Sequence, residues 1–253
     1  MRQRGSVQAG TSLADPCASS RRRRPADEVI YGEVLDAIIS HRLPPGTALP
    51  EDTLAAAFGV SRTLVRKALQ RLAHGKLIEL RRNRGAIVAR PSVEEARELF
   101  DARRLIEPVL VRSAASRIGD AELEALRAGV TREREAFARG DRHELIRLSG
   151  AFHCRIAASS GNRVLADFLG ELISRTSLVI ALYEQPAIWP CSLDEHGRVL
   201  EALARRDAAA AAELMRHHLD HCEAQLDLSG EGRAVDLMAL FAHARAEPAL
   251  EAS

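Results

Sequence analysis

From residue 27 onward, apolar side chains recur at three- and four-residue intervals. Ile30, Val34, Leu35, Ile38 and Ile39 share one face of a predicted helix that ends near His41 and Arg42. Pro44, Pro45 and Gly46 break it. A short helix over 51–58 turns Leu54, Ala55 and Phe58 inward and stops at Gly59, which tolerates positive φ. Ser61 is placed to cap a third helix over 62–74, and Gly75 ends it. Residues 76–80 and 86–89 read as two short strands around a basic turn at 81–85. Helix, helix, turn, helix, hairpin is the order of a winged helix-turn-helix.

Arg90 and Pro91 make a brief connector, and Ser92 with Glu95 opens the next helix as a capping box. Helical patterning continues over 93–117, 120–139, 141–159, 163–184, 192–205 and 208–226, with breaks at Gly119, Gly140, Gly161, Pro186 and Asp207. Short connections between six helices predict an antiparallel bundle. A last short helix is predicted over 234–244. The expected fold class is mostly α, divided into a basic tail (1–26), a winged head (27–90), an all-helical domain (91–230), and a C-terminal helix and tail (231–253).

Composition agrees with that division. Aromatics make up only 4% of the chain while Ala, Leu, Arg and Glu abound, a mixture that favours helix. No apolar run nears the ~20 residues that cross a bilayer, and the first twenty residues lack the apolar core of a secretory signal. The four cysteines are scattered without a CxxC, as expected of free thiols in a reducing cytoplasm. The net charge of +1 hides an asymmetry: residues 1–90 hold 16 basic and 8 acidic residues, and the rest hold 20 and 27. One basic end on a neutral chain implies a polyanion partner for that end, against the alternative of a merely solvated surface.

Helical spacing decides between them. Over 62–72, Leu64, Val65, Ala68, Leu69 and Leu72 gather on one side, and Arg62, Thr63, Arg66 and Gln70 on the other. The first set docks the helix. The second presents guanidinium, hydroxyl and amide groups that match base edges in a major groove. Ser61 and Thr63 are suited to phosphate at the helix N-terminus. Arg81, Arg82 and Arg84 sit at the wing tip, and Gly85 permits close approach there. A glycine stop, a capped helix and a basic hairpin occurring together point to a double-stranded DNA operator.

These residues also resemble a family. Leu43-Pro44-Pro45-Gly46-Thr47, Leu54-Ala55, the run from 59 to 72 (GVSRTLVRKALQRL), Gly75 and Gly85 are similar to the winged head of GntR-type bacterial regulators. Leu64 stands where proline is common. Asp52 stands where many relatives carry a DNA-contacting arginine, so no DNA contact is expected of it.

In the helical domain His153, His196 and His218 lie on the apolar stripes of three different helices. Periodicity alone favours hydrogen-bonded core histidines, with a shared zinc or nickel ion as the alternative. Residues 93–226 resemble the FCD effector domain of the FadR-type branch. The matches are Arg103-Arg104-Leu105-Ile106-Glu107, Phe152-His153, Ser160-Gly161-Asn162, Glu195-His196 and Met215-Arg216-His217-His218-Leu219. The resemblance implies a divalent metal held by His153, His196, His218 and an Asp or Asn one turn before the first. Ser149 stands at that place, followed by Gly150. Either a tris-histidine site is completed by water or effector, or a metal-free pocket binds an anion directly. Arg103, Ser149 and Asn162 are candidate effector contacts, although Arg103 also suits a salt bridge to Glu107.

The resemblance further implies a homodimer on two operator half-sites, controlled by a small organic acid and acting as a repressor. A metal-dependent hydrolase and a DNA-architectural protein are the alternatives.

Overall fold

A computed structural model describes residues 25–82, 85–184 and 190–229. Most of the basic tail, Arg84 and the helix expected over 234–244 lie outside the described residues.

The head comprises α1 (Ala26–Ile39), β1 (Ala48–Leu49), α2 (Glu51–Phe58), α3 (Arg62–His74), β2 (Ile78–Arg81) and β3 (Gly85–Val88). Ile30, Val34 and Ile38 of α1 are buried against Val65, Ala68, Leu69 and Leu72 of α3, because their spacing gives each helix one apolar stripe. Gly59 ends α2 in the left-handed conformation at φ 64°. Ser61 stands at the N-cap of α3, but the capping bond expected of its side chain is not made. Its carbonyl instead accepts the N–H groups of Leu64 and Val65, and the hydroxyl stays exposed.

The wing has a third strand that its length concealed, since two residues are too few to show alternation. β1 pairs antiparallel with β3, giving the order β1-β3-β2, with Leu49 opposite Ala86. Gly85 opens β3 at φ 79°, and a Cβ there would stand 2.4 Å from the Leu49 carbonyl oxygen. The close approach expected of this glycine is therefore made to the chain's own backbone.

The rest is helical: α4 (Val93–Ala115), α5 (Asp120–Ala138), α6 (Arg142–Ser159), α7 (Arg163–Tyr183), α8 (Pro190–Ala204) and α9 (Ala208–Ala224). Ser92 caps α4 by accepting the Glu95 N–H at 3.1 Å. α4 packs on α6, α7 and α9, α5 on α6 and α8, and α8 on α9. Val111, Leu126, Phe152, Ile156, Val199, Leu203, Met215 and Leu219 fill the space between them. Truncating a fully buried leucine such as Leu203 to alanine would cost roughly 2–5 kcal/mol.

Head and bundle meet where α1 rests on α6 and α7. Leu178 of α7 is fully buried in the head's own core. His41, at φ 59°, donates from Nε2 to the Ser177 carbonyl at 2.7 Å, and His143 donates from Nδ1 to the Ser40 carbonyl.

Candidate functional site

The reading face of the head is cationic and braced. Arg62, Arg66, Gln70, Arg81 and Gly85 line one depression together with Glu51 and Asp52 of α2. The side chains of Arg62 and Arg66 are 59% and 55% exposed, so the ridge expected from periodicity is on the surface. Each is nonetheless paired. Arg66 donates from Nε and Nη2 to the two oxygens of Glu51 at 3.0 and 2.6 Å, and this fork holds the Glu51 carboxyl below its ordinary range. Arg62 reaches Asp52 at 3.1 Å. Asp52, expected to make no DNA contact, thus orients a residue expected to make one. Ser61, Thr63 and Gln70 are exposed on the same helix, and Arg81 pairs with Glu79 at 3.0 Å.

His153, His196 and His218 converge. Their ligand atoms lie within 4.8 Å of one another, and all three are buried. A carboxylate backs each ring. His153 Nδ1 meets Glu107 Oε2 at 2.6 Å, His196 Nδ1 meets Glu133 Oε2 at 2.8 Å, and His218 Nδ1 meets Glu195 Oε2 at 2.9 Å. With the Nδ1 protons donated outward, the Nε2 lone pairs turn toward the common centre, the arrangement that orients histidines as metal ligands. The Nε2 atoms of His196 and His218 are 3.2 Å apart. Two lone pairs at that distance repel unless a cation or proton lies between them. A tetrahedral zinc at ~2.0–2.1 Å from each nitrogen would set them about 3.3 Å apart. The donor set fits a divalent ion.

Charge at His153 supports this. Burial pushes the His153 imidazole down to about 3, outweighing the pull of Glu107, so the ring is neutral and able to ligate. Burial works against ionised Glu107 too, but Arg103 and His153 hold its carboxyl at about 2. Arg103 donates from Nε to Glu107 Oε1 at 2.6 Å with both side chains buried. Of its two anticipated roles, the ion pair with Glu107 is therefore made, and Arg103 still borders the adjoining cavity.

That cavity, about 70 Å³, is lined by Arg103, Ser149, His153, His218 and Cys222 among others, and by Ile39 of the head. Ser149, one turn before His153, therefore faces the space that a fourth ligand or an effector atom would use. Asn162 does not line it. Its side-chain oxygen accepts the Leu165 N–H at 3.1 Å and caps α7, a local role that explains the Ser-Gly-Asn turn. The backing residues Glu107, Glu133 and Glu195 escaped sequence reasoning as site residues. Only Glu195, adjacent to His196, and Glu107, four places after Arg103, carried a signal.

A winged helix-turn-helix with an exposed cationic reading helix, joined to a helical bundle that encloses a histidine cluster, defines a DNA-binding transcriptional regulator. Residues 26–88 match the bacterial regulatory proteins of the gntR family, and residues 98–221 match the FCD domain. The chain belongs to the GntR family, in the group that carries an FCD domain. It is 32% identical over 197 residues to a transcriptional regulator from an unstable DNA locus of Streptomyces ambofaciens, covering 75% of this chain and 80% of that one. It is 27% identical to the transcriptional repressor RspR of Escherichia coli, covering 78% and 86%. A GntR regulator from a Rhodococcus species superposes with a TM-score of 0.70 at 27% identity, over 82% of this chain and 99% of that one. These relatives are regulators, which removes the hydrolase alternative. Among the described residues no helix is long and apolar enough to cross a membrane.

Proposed function

We propose that this regulator is a ligand-responsive repressor whose operator affinity is set by a small organic acid bound at a divalent metal in the helical domain. The observation that carries the reading is the facing pair of His196 and His218 nitrogens, 3.2 Å apart inside a ring of carboxylate-backed imidazoles. His153, His196 and His218 would hold the ion, with zinc or nickel suited to imidazole ligands. When bound, the ion supplies a Lewis-acidic docking point for a carboxylate oxygen, in the place where Ser149 leaves no anionic side chain. The same chain binds duplex DNA through Ser61, Arg62, Thr63, Arg66, Gln70, Arg81, Arg84 and Gly85.

The working unit is a homodimer. α4 and α7 pack against each other, and each presents an i, i+4 apolar pair to solvent: Leu105 and Val109, Val164 and Phe168. A second copy covering these residues gives a two-fold molecule with two heads for two half-sites.

The test is metal analysis of the purified chain together with His153→Ala, His196→Ala and His218→Ala. Each variant is expected to lose bound metal and to retain operator binding. Unchanged metal content in all three would refute the site.

A further inference from the structure

The cavity beside the histidines is walled in part by the DNA-binding head. Ile39, at the last position of α1, lines it together with Ser149 of α6, Ser177 of α7 and His218 of α9. Its neighbour Ile38 is fully buried in the head's core. The next two residues make the polar joint: the Ser40 carbonyl accepts from His143, and His41 donates to the carbonyl of Ser177, itself a wall residue. Four consecutive positions thus run from the interior of the head, past the ligand cavity, to the bundle.

The cavity is also too small for its expected occupant. About 70 Å³ holds roughly two waters at ~30 Å³ each, whereas sites for small organic ligands usually start at ~300 Å³. A carboxylate group fits, but a carbon skeleton of several atoms can be enclosed among these residues only if a wall yields. The walls on α6, α7 and α9 belong to helices held within the bundle, α6 against α7 and all three against α4. Ile39 is half-buried and stands at the last position of a helix that belongs to the head, not to the bundle.

We propose that Ile39 is the size-determining residue of the effector site, and that an acid larger than a bare carboxylate is enclosed there by displacing Ile39 and with it the end of α1. Ligand identity is then read directly by the head. The acid favours the displaced arrangement of α1, and the operator favours one arrangement of the heads, so each biases the other. This inference rests on the cavity being the effector site.

The experiment uses the full chain loaded with cobalt(II), with formate and citrate as small and large probes. The cobalt absorption spectrum reports binding, and deuterium exchange over residues 26–41 reports the head. In the parent protein formate should alter the spectrum without altering exchange, while citrate should raise exchange in 26–41 several-fold. Ile39→Ala should bind citrate about tenfold more tightly, because the wall no longer has to move, and its exchange should not respond. Ile39→Val, which keeps the packing nearly intact, should fall between. Citrate excluded from the parent but admitted by Ile39→Ala would support the same conclusion. Equal citrate affinity in all three proteins with unaltered exchange would overturn the role of Ile39 and leave the metal-and-acid reading standing. Failure to take up cobalt, or of either acid to bind any variant, would overturn both.

Discussion

Glu51 grips Arg66 with both carboxylate oxygens, so the central guanidinium of the reading helix is held in one orientation before DNA arrives. Both groups lie on the proposed DNA-reading surface, where this bond would restrain Arg66 at the cost of a negative charge near phosphate. Glu51→Gln should raise affinity for random DNA by about three- to tenfold at low salt and blunt discrimination between operator and random sequence. The gain should shrink at high salt, where exposed charges are screened. Arg66→Ala should cost about 1–3 kcal/mol of operator affinity. Fluorescence anisotropy with specific and scrambled duplexes across a salt series measures each of these effects. An unchanged specificity ratio in Glu51→Gln would show that the brace is irrelevant.

Glu133 touches His196 through Oε2, while its Oε1 is buried with no hydrogen-bond partner among the described residues. Replacing it with glutamine keeps the shape and removes the charge behind the ring. Metal affinity should fall about 10–100-fold, as for other carboxylates that orient a ligating histidine. Competition against a chromophoric chelator reads this directly, and an affinity equal to that of the parent would remove Glu133 from the site.

His41 carries a pH dependence. Burial, partly offset by the bond to the Ser177 carbonyl, lowers its folded value from 6.5 to about 4. The unfolded chain therefore takes up the proton first. The stabilisation is complete above pH 6.5 and is lost as pH falls toward 4, at no more than about 1.4 kcal/mol per pH unit. Asparagine tolerates the positive φ of this position. Urea unfolding of metal-free His41→Asn between pH 5 and 7.5 should therefore give a flatter profile than the parent. Identical slopes would mean that His41 is solvated rather than enclosed.

Gly85→Ala should destabilise the head. The added Cβ meets the Leu49 carbonyl at 2.4 Å, at a φ of 79° that L residues rarely adopt. A loss of at least about 2 kcal/mol is expected from the clash and strain together, seen as a lower midpoint of thermal unfolding. A midpoint within one degree of the parent would contradict the β1–β3 packing described above.

The apolar pairs on α4 and α7 give a fifth test. Phe168→Glu should convert the proposed dimer to monomers in sedimentation equilibrium, because a charge placed in an apolar interface must be desolvated. A dimer of undiminished stability would move the interface elsewhere.

The helices of this fold were legible because each carries a long apolar stripe with a clear stop: Gly59, Gly75, Gly119 and Gly140 all fall at or beside helix ends. β1 was not legible, since its partner lies some forty residues on and two positions hold no period. The three histidines announced themselves by standing on apolar faces. The carboxylates behind them did not, since Glu133 sits in a helix rich in glutamate and only tertiary packing brings it to His196. Asn162 shows the converse: a polar residue in a family-like turn suggested a ligand contact, and the structure adds a local role for it as the cap of α7. Ile39 read as one more apolar residue of α1, and its position on another domain's cavity follows from docking alone.

Leu178 belongs to the bundle by chain order and to the head by burial. A fragment ending at the connector after β3 would have a hole where that side chain sat and would show fresh oily surface to water. The reading module is therefore not portable: grafted onto another sensor, it would need a surrogate for this one leucine before it could be expected to stand alone.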